Sequence, residues 1–368
     1  MTIVIGLAKE IKSGESRVAL SPIGVDDLIH KGFSVNVEQG AGEKIGYSDD
    51  SYQNVGAKIL TREKLFSDSE MIVKVKEPQA SEIELLKQGQ IVFSYLHLAS
   101  DKPQTEGLLK QKVTGIAFET VTSNGDGLPL LTPMSEIAGT LAIQQGAYFL
   151  GKPFGGSGIL LGGVAGSRKG KVFVLGGGVV GMRSIAIALG MGAEVTVADI
   201  SLKRLRYIEE IFGNRVNLLI SNRQNIIASL READLVVGGV LIPGAAAPKL
   251  VTKDMLKEMK AGSVIVDVAI DQGGCFETSH ATTHADPVFT VDGIQHYCVA
   301  NMPGAVSKTA SMALEAAILP YVAKIAKNPI DAIKNDIHIK NGVNVYNGKL
   351  VNKPVSEALG IEYFDLVV

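Results

Sequence analysis

The sequence predicts an α/β protein of two doubly wound domains with a cleft between them, and three features predict it. Short runs rich in valine and isoleucine alternate with helix signals along most of the chain. A glycine triplet, Gly176, Gly178 and Gly181, sits between one such run and a helix. At 368 residues the chain is too long for one ordinary domain, and 46% hydrophobic residues suffice for two cores.

Taken in order, Ile3 to Leu7 reads as a strand, and Ser21-Pro22 opens a helix that stops at Gly32, with serine as N-cap and proline at N1. Strands follow at Ser34 to Glu38 and Met71 to Lys76, the latter stopped by Pro78. Ser81 to Gln88 reads as a helix, Gln90 to Leu96 as a strand, Thr105 to Lys112 as a helix and Gly115 to Phe118 as a strand. A long helix runs from Thr132, as N-cap with Pro133 at N1, to Leu150. After the glycine-rich stretch Gly155 to Gly170 the alternation restarts: strand Val172 to Leu175, helix Val179 to Gly190, strand Glu194 to Ala198. It continues through Leu218–Ile220, Leu235–Val240, Val264–Val268 and Tyr297–Ala300. Ser307 to Ala326 is a second long helix, and VNVYNGKLV, with Asn347-Gly348 at its centre, reads as a hairpin. The two long helices bracket the second α/β run. We therefore expect a discontinuous first domain, 1–128 plus 307–368, around a second domain, 129–306.

Composition excludes several classes. A net charge of -2 gives no electrostatic reason to expect nucleic acid or an anionic membrane surface. The N-terminus moves from a short apolar run straight into charge, without a signal-peptide core, and no uncharged apolar stretch is long enough to span a bilayer. Cys275 and Cys298 lack metal or disulfide-framework spacing. His280 and His284 fall in the loop-like TSHATTHADP, so no metal site is expected. These features predict a cytoplasmic protein.

The triplet is spaced G-x-G-x-x-G, follows a strand, opens a helix and has Asp199 roughly 20 residues on, the context of a dinucleotide fingerprint in a Rossmann domain. Gly176 permits the tight turn, Gly178 lets the backbone approach a pyrophosphate, and Gly181 lets helix pack on strand. The helix N-terminus offers N–H groups to phosphate. Asp199 would accept hydrogen bonds from a ribose diol and repel a 2′-phosphate, which favours NAD over NADP, although Lys203, Arg204 and Arg206 lie just beyond.

Open α/β sheets bind ligands beyond the carboxyl ends of their strands. Lys76, His97, Asp271 and Asn301 all follow apolar runs directly, and Arg17 follows the first strand. Each also has a structural reading: a solvated lysine, a hydrogen-bonded histidine, a turn-capping aspartate at Asp267 or Asp271, a surface arginine. Together they suit hydride-transfer chemistry. A histidine moves protons in both directions near neutral pH, a lysine polarises a carbonyl, and an arginine grips a carboxylate bidentately.

At KEIKSGESRVALSP, QGAG, VKVKEP, FSYLHLA, LPLLTPMSE, VDVAIDQGGCFE and YCVANMP the chain closely resembles alanine dehydrogenases. It resembles more distantly the soluble NAD-binding part of proton-translocating transhydrogenases. The resemblance covers essentially the whole chain. It implies reversible, NAD-linked oxidative deamination of L-alanine to pyruvate and ammonium by a homohexamer; the alternative is an NAD(H)-binding transhydrogenase module. It implies that Arg17 and Lys76 bind the substrate carboxylate and carbonyl oxygen, and that His97 and Asp271 are the acid/base pair. Tyr95, Met134 and Asn301 would line the substrate and nicotinamide pocket. The cofactor pattern maps onto Ser135, Val179, Val180, Asp199, Arg204, Ser221, Val240, Leu241, Val268, Ala269, Ile270, Asp271, Val299, Ala300, Asn301 and Met302. One departure stands out. Many members carry SRPTT after CFE, where this chain has Ser279-His280-Ala281-Thr282-Thr283.

Overall fold

The computed structural model describes residues 2–125, 127–240 and 247–368. The chain forms two compact units, Met1–Met134 with Val306–Val368, and Ser135–Ala305. Its strands are β1 (Ile5–Leu7), β2 (Val35–Glu38), β3 (Lys58–Leu60), β4 (Met71–Val73), β5 (Ile91–Ser94), β6 (Thr114–Ala117), β7 (Lys171–Leu175), β8 (Glu194–Asp199), β9 (Val216–Ile220), β10 (Leu235–Gly238), β11 (Val264–Asp267), β12 (Val288–Val291), β13 (Ile294–Tyr297), β14 (Val343–Tyr346) and β15 (Lys349–Leu350).

The first sheet has the order β15-β14-β6-β5-β4-β1-β2-β3 and the second β12-β13-β11-β10-β7-β8-β9. Each therefore holds six parallel strands wound outward in both directions from the first, β1 in one and β7 in the other, with antiparallel strands closing one edge. Both are doubly wound, and the second has the Rossmann order. Their central parallel strands are buried on both faces, which explains near-continuous apolar runs such as Val172–Leu175, while the outer strands β3 and β9 are partly exposed.

Local chemistry sets the element ends. Ser21 caps the helix Pro22–His30 by accepting the Gly24 N–H. The hairpin β14–β15 turns at Asn347 and Gly348, both at positive φ (49° and 78°), as its two-residue loop requires. The helix Ser307–Lys327 is long and apolar enough to span a bilayer, yet it buries Ala310, Leu314, Ile318, Val322 and Ile325 in the protein. It also holds the segment after β1. Ser311 Oγ accepts the Val18 N–H at 2.9 Å, and Glu315 accepts both the N–H and the hydroxyl of Ser21.

Four expectations need correction. The final parallel strand is Ile294–Tyr297, not Tyr297–Ala300, because Asp292-Gly293 turns it back on β12, which the sequence did not signal. Thr132 is the first helical residue rather than the N-cap, and its hydroxyl donates to Leu128 O at 3.0 Å. The helix expected over Ser81 to Gln88 spans only Ala80–Ile83; beyond it the bonds from Leu85 and Leu86 reach back three residues, not four. Finally, β4 ends at Val73, three residues before Lys76.

The glycine turn is tight. Gly176 sits at φ +92°, and a Cβ on Gly181 would overlap the Gly176 carbonyl oxygen. Backbone meets backbone there, so neither side can yield. Replacing Gly181 by Ala should therefore cost about 1–3 kcal/mol, seen as a fall of several degrees in the calorimetric melting temperature. An unchanged melt would remove helix–strand packing as the reason for this glycine.

Candidate active site

Arg17, Lys76 and His97 follow the carboxyl ends of β1, β4 and β5, three neighbouring strands of the first sheet. Arg17 is buried rather than a surface residue. Its Nε and Nη2 grip both oxygens of Glu15, at 2.8 and 2.6 Å, and Glu15 Oε1 also accepts the Arg17 N–H. Burial alone would raise Glu15, but the bonds and charge of Arg17 outweigh it and hold that carboxyl down at about 2. The pair is therefore ionised at neutral and alkaline pH. Arg17 Nη1 lies 3.1 Å from Met134 Sδ.

Tyr95 is buried, and its hydroxyl donates to Leu130 O at 2.6 Å. Burial pushes this phenol up, so it stays protonated. Its ring stacks on that of His97, with centroids 5.8 Å apart and planes 10° apart. The imidazole is half exposed. Its backbone takes a left-handed conformation, φ 48°, held by Glu119, which accepts the N–H of Leu96 and of His97 (2.6 Å). Glu119 Oε1 also lies 3.9 Å from His97 Nδ1.

Lys76 is partly buried, and Glu10 accepts its backbone N–H. The charge of Lys76 acts on Glu15, and that of Arg17 on Tyr95. The substrate-side residues expected in the first unit, Arg17, Lys76, Tyr95, His97 and Met134, are thus brought together. The neighbouring lysine, Lys74, is a different kind of group: fully buried and bonded twice to Glu82, at 2.7 and 2.6 Å.

In the second unit the expected cofactor residues that the structure describes, Ser135 apart, follow the carboxyl ends of β7, β8, β9, β10, β11 and β13. A Cβ on Gly178 would meet nothing within 4 Å, so the turn has the open approach a pyrophosphate requires. Val179 is partly exposed at the start of the helix Val179–Gly190, and Val180 and Gly181 are buried behind it. Asp199 Oδ2 accepts the Gly177 N–H at 2.7 Å and Oδ1 the Ser201 N–H at 2.8 Å. Arg204 flanks Gly177 and lies over the Tyr207 ring. The Ser221 N–H is fixed by Asp199 O, and Val240 borders Gly176. These residues fit a dinucleotide.

Val268, Ala269, Ile270 and Asp271 form the single turn Val268–Gln272 after β11, with Asp271 exposed. Val299, Ala300, Asn301 (φ 58°) and Met302 follow β13. Ser135 lies in the first turn of the helix Thr132–Phe149, next to Met134. Leu241 lies outside the described residues.

Asp267 takes the structural reading: it is buried and caps the turn by accepting the Cys275 N–H on both oxygens. His280 stacks on Phe289, centroids 3.7 Å apart. Cys275 and Cys298 are free and buried, and burial pushes both thiols up to about 12, so neither is a nucleophile at neutral pH. Among the described residues no three His, Cys, Asp or Glu side chains converge as metal ligands would. Sequence reasoning missed Glu10, Glu15 and Glu119. The available signal was an acidic residue within a few positions of a strand end, and for Glu15 its spacing of two from Arg17.

Residues 6–138 match the family described as "Alanine dehydrogenase/PNT, N-terminal domain", and residues 142–353 its C-terminal domain. The chain is 51% identical to the alanine dehydrogenase of Halomonas elongata and 50% identical to that of Methanococcus maripaludis, covering 98% of both chains in each case. Its fold superposes on a solved L-alanine dehydrogenase with a TM-score of 0.93 at 47% identity, covering 97% of this chain and 99% of the other. A transhydrogenase from Sinorhizobium meliloti superposes at 0.80 with 26% identity, covering 95% and 99%. Spanning both domains at these identities, the chain belongs to the alanine dehydrogenase/PNT family.

Proposed function

We propose that this chain is an NAD-dependent L-alanine dehydrogenase, interconverting L-alanine, NAD+ and water with pyruvate, ammonium, NADH and a proton. The observation that carries the reading is the Arg17 cluster. A buried guanidinium, fixed by Glu15, shares the strand ends of one sheet with Lys76, Tyr95 and His97. Such a set suits a small 2-oxo or 2-amino acid. Arg17 binds the carboxylate, and Lys76 meets the carbonyl oxygen. Tyr95 and Met134 lie beside Arg17 on the substrate side of the first unit.

Bound NAD supplies the hydride acceptor. The residues Gly176, Gly178 and Gly181 and the helix behind them hold its pyrophosphate, with Ser135, Val179, Val180, Arg204, Ser221, Val240, Leu241, Val268 to Asp271 and Val299 to Met302 as its remaining contacts. Asp199 favours NAD. Each of its oxygens receives one backbone N–H, leaving acceptor sites for a ribose diol, while its charge repels a 2′-phosphate. His97 moves the proton that accompanies the reaction, and the family resemblance assigns Asp271 to the same proton chemistry. In this reading the enzyme is cytoplasmic, which its two free cysteines suit. It assembles as a homohexamer, for which exposed Tyr148, Phe154 and Leu160 offer apolar surface.

Purified protein with L-alanine and NAD at alkaline pH should generate NADH absorbance, and pyruvate, ammonium and NADH should consume it. NAD(H) binding without turnover in either direction would instead favour the transhydrogenase module. Replacing His97 by Ala should lower kcat by about 10²-fold or more; turnover like that of wild type would assign the proton elsewhere. Replacing Asp199 by Ala should raise the NADP/NAD ratio of kcat/KM at least about tenfold, equivalent to relieving about 1.4 kcal/mol of charge repulsion. An unchanged ratio would take Asp199 out of cofactor choice.

A further inference from the structure

Between β1 and β4 the backbone ladder runs out before the functional residues begin. The bond from Ala8 N–H to Val73 O, 3.2 Å, is the last rung. Beyond it the next segment still pairs with the β5 side, through Lys74 N–H to Phe93 O and Tyr95 N–H to Val75 O. The chain then bends at Val75 and Lys76, and among the described residues no backbone carbonyl receives the Val75 N–H.

Glu10 fills that gap. Its side chain is 3% exposed, and Oε1 accepts the N–H of Val75 at 2.6 Å and of Lys76 at 3.3 Å. Oε2 is buried without a hydrogen-bond partner, 3.8 Å from Lys74 Nζ. Lys74 is itself committed to Glu82, which in turn accepts the Gln79 N–H at 2.7 Å. One carboxylate thus joins the backbone of Lys76 to a buried ammonium.

We propose that Glu10 is a positioning residue for Lys76, fixing through the Val75 and Lys76 N–H groups the bend from which that lysine reaches substrate. The inference rests on reading Lys76 as the substrate lysine. Charged groups face Glu10 from two sides: Lys74 and Glu82 from the segment after β4, Glu15 and Arg17 from the segment after β1. Burial, opposed by the charge of Lys74, lifts the Glu10 carboxyl to about 7. Its grip on the two N–H groups strengthens when that proton leaves, because a carboxylate is the better acceptor.

The test uses three variants of the full-length enzyme. Glu10→Ala should raise KM for pyruvate about tenfold while leaving KM for NADH within about twofold, since only the substrate lysine moves. Glu10→Gln keeps a neutral oxygen acceptor. It should match wild type at pH 6 and fall behind in KM for pyruvate at pH 8.5, where wild type carries the carboxylate. The ratio of the two enzymes cancels the pH effects that both share. If Glu10→Ala does not fold, the Glu10→Gln ratio decides alone. Equal losses in both KM values, or a Glu10→Gln KM for pyruvate equal to that of wild type at both pH values, would overturn the inference. Lys76→Met separates the two levels: an inactive Lys76→Met beside unaffected Glu10 variants overturns only the role of Glu10. A fully active Lys76→Met overturns the substrate lysine and the inference with it.

Discussion

Where parallel strands part at the centre of a doubly wound sheet, backbone N–H groups lose their partners, and the first unit supplies carboxylates in their place. Glu10 takes the N–H groups after β4, and Glu119 those after β5. Glu15 takes those of Ser16 and Arg17 after β1. An unsatisfied buried N–H costs about 1–3 kcal/mol, so these bonds decide whether the strand extensions can be ordered at all. The three segments so fixed carry Arg17, Lys76 and His97. Two of the carboxylates also face the functional side chain itself: Glu15 grips the guanidinium, and Glu119 lies near the imidazole. Each carboxylate fixes the backbone of a segment after a strand end, and Glu15 also neutralises the buried guanidinium of Arg17.

The second unit solves the same topological problem with the opposite sign. Its sheet also winds outward from its first strand, but the turn beyond β7 is glycine: Gly176 donates its N–H to Ala198 O and Gly177 its N–H to Asp199, just ahead of the helix Val179–Gly190. There the helix N-terminus provides a positive field, and Arg204 flanks the turn at Gly177. One carboxylate remains, Asp199, and it is tied into the turn through Gly177. The two sheets share a strand order, yet one presents side-chain cations and the other backbone amides.

Much of this was legible in the sequence. The glycine spacing, Pro22 and the Asn347-Gly348 turn act within a few residues, and the structure realises each locally. Short or edge elements were not legible. β3, with the sequence Lys-Ile-Leu, is strand only because β2 lies beside it, and β12 exists only as the partner of β13. The strand ends pointed to Arg17, Lys76 and His97 because ligands of such folds lie there. The supporting glutamates were invisible for the opposite reason. Glu10 bonds 65 residues away in sequence and Glu119 bonds 22 away, and no local pattern distinguishes them from solvated acids.

Lys74 and Lys76 show what position along a strand end decides. Two residues apart, they share a face in an extended chain. Lys74 lies where the segment is still paired to β5 and closed over, so its charge must be neutralised internally, and Glu82 does so with two hydrogen bonds. Lys76 lies where the β1 side has opened, and its ammonium need not be buried completely. Neutralising Lys74 with Glu82 leaves Glu10 without a full counter-charge, which is why burial lifts its proton affinity towards neutrality. An ion pair that serves folding thus sets the charge state of the group under Lys76. The one shared carboxylate faces the ammonium of Lys74 on one side and the backbone N–H of Lys76 on the other.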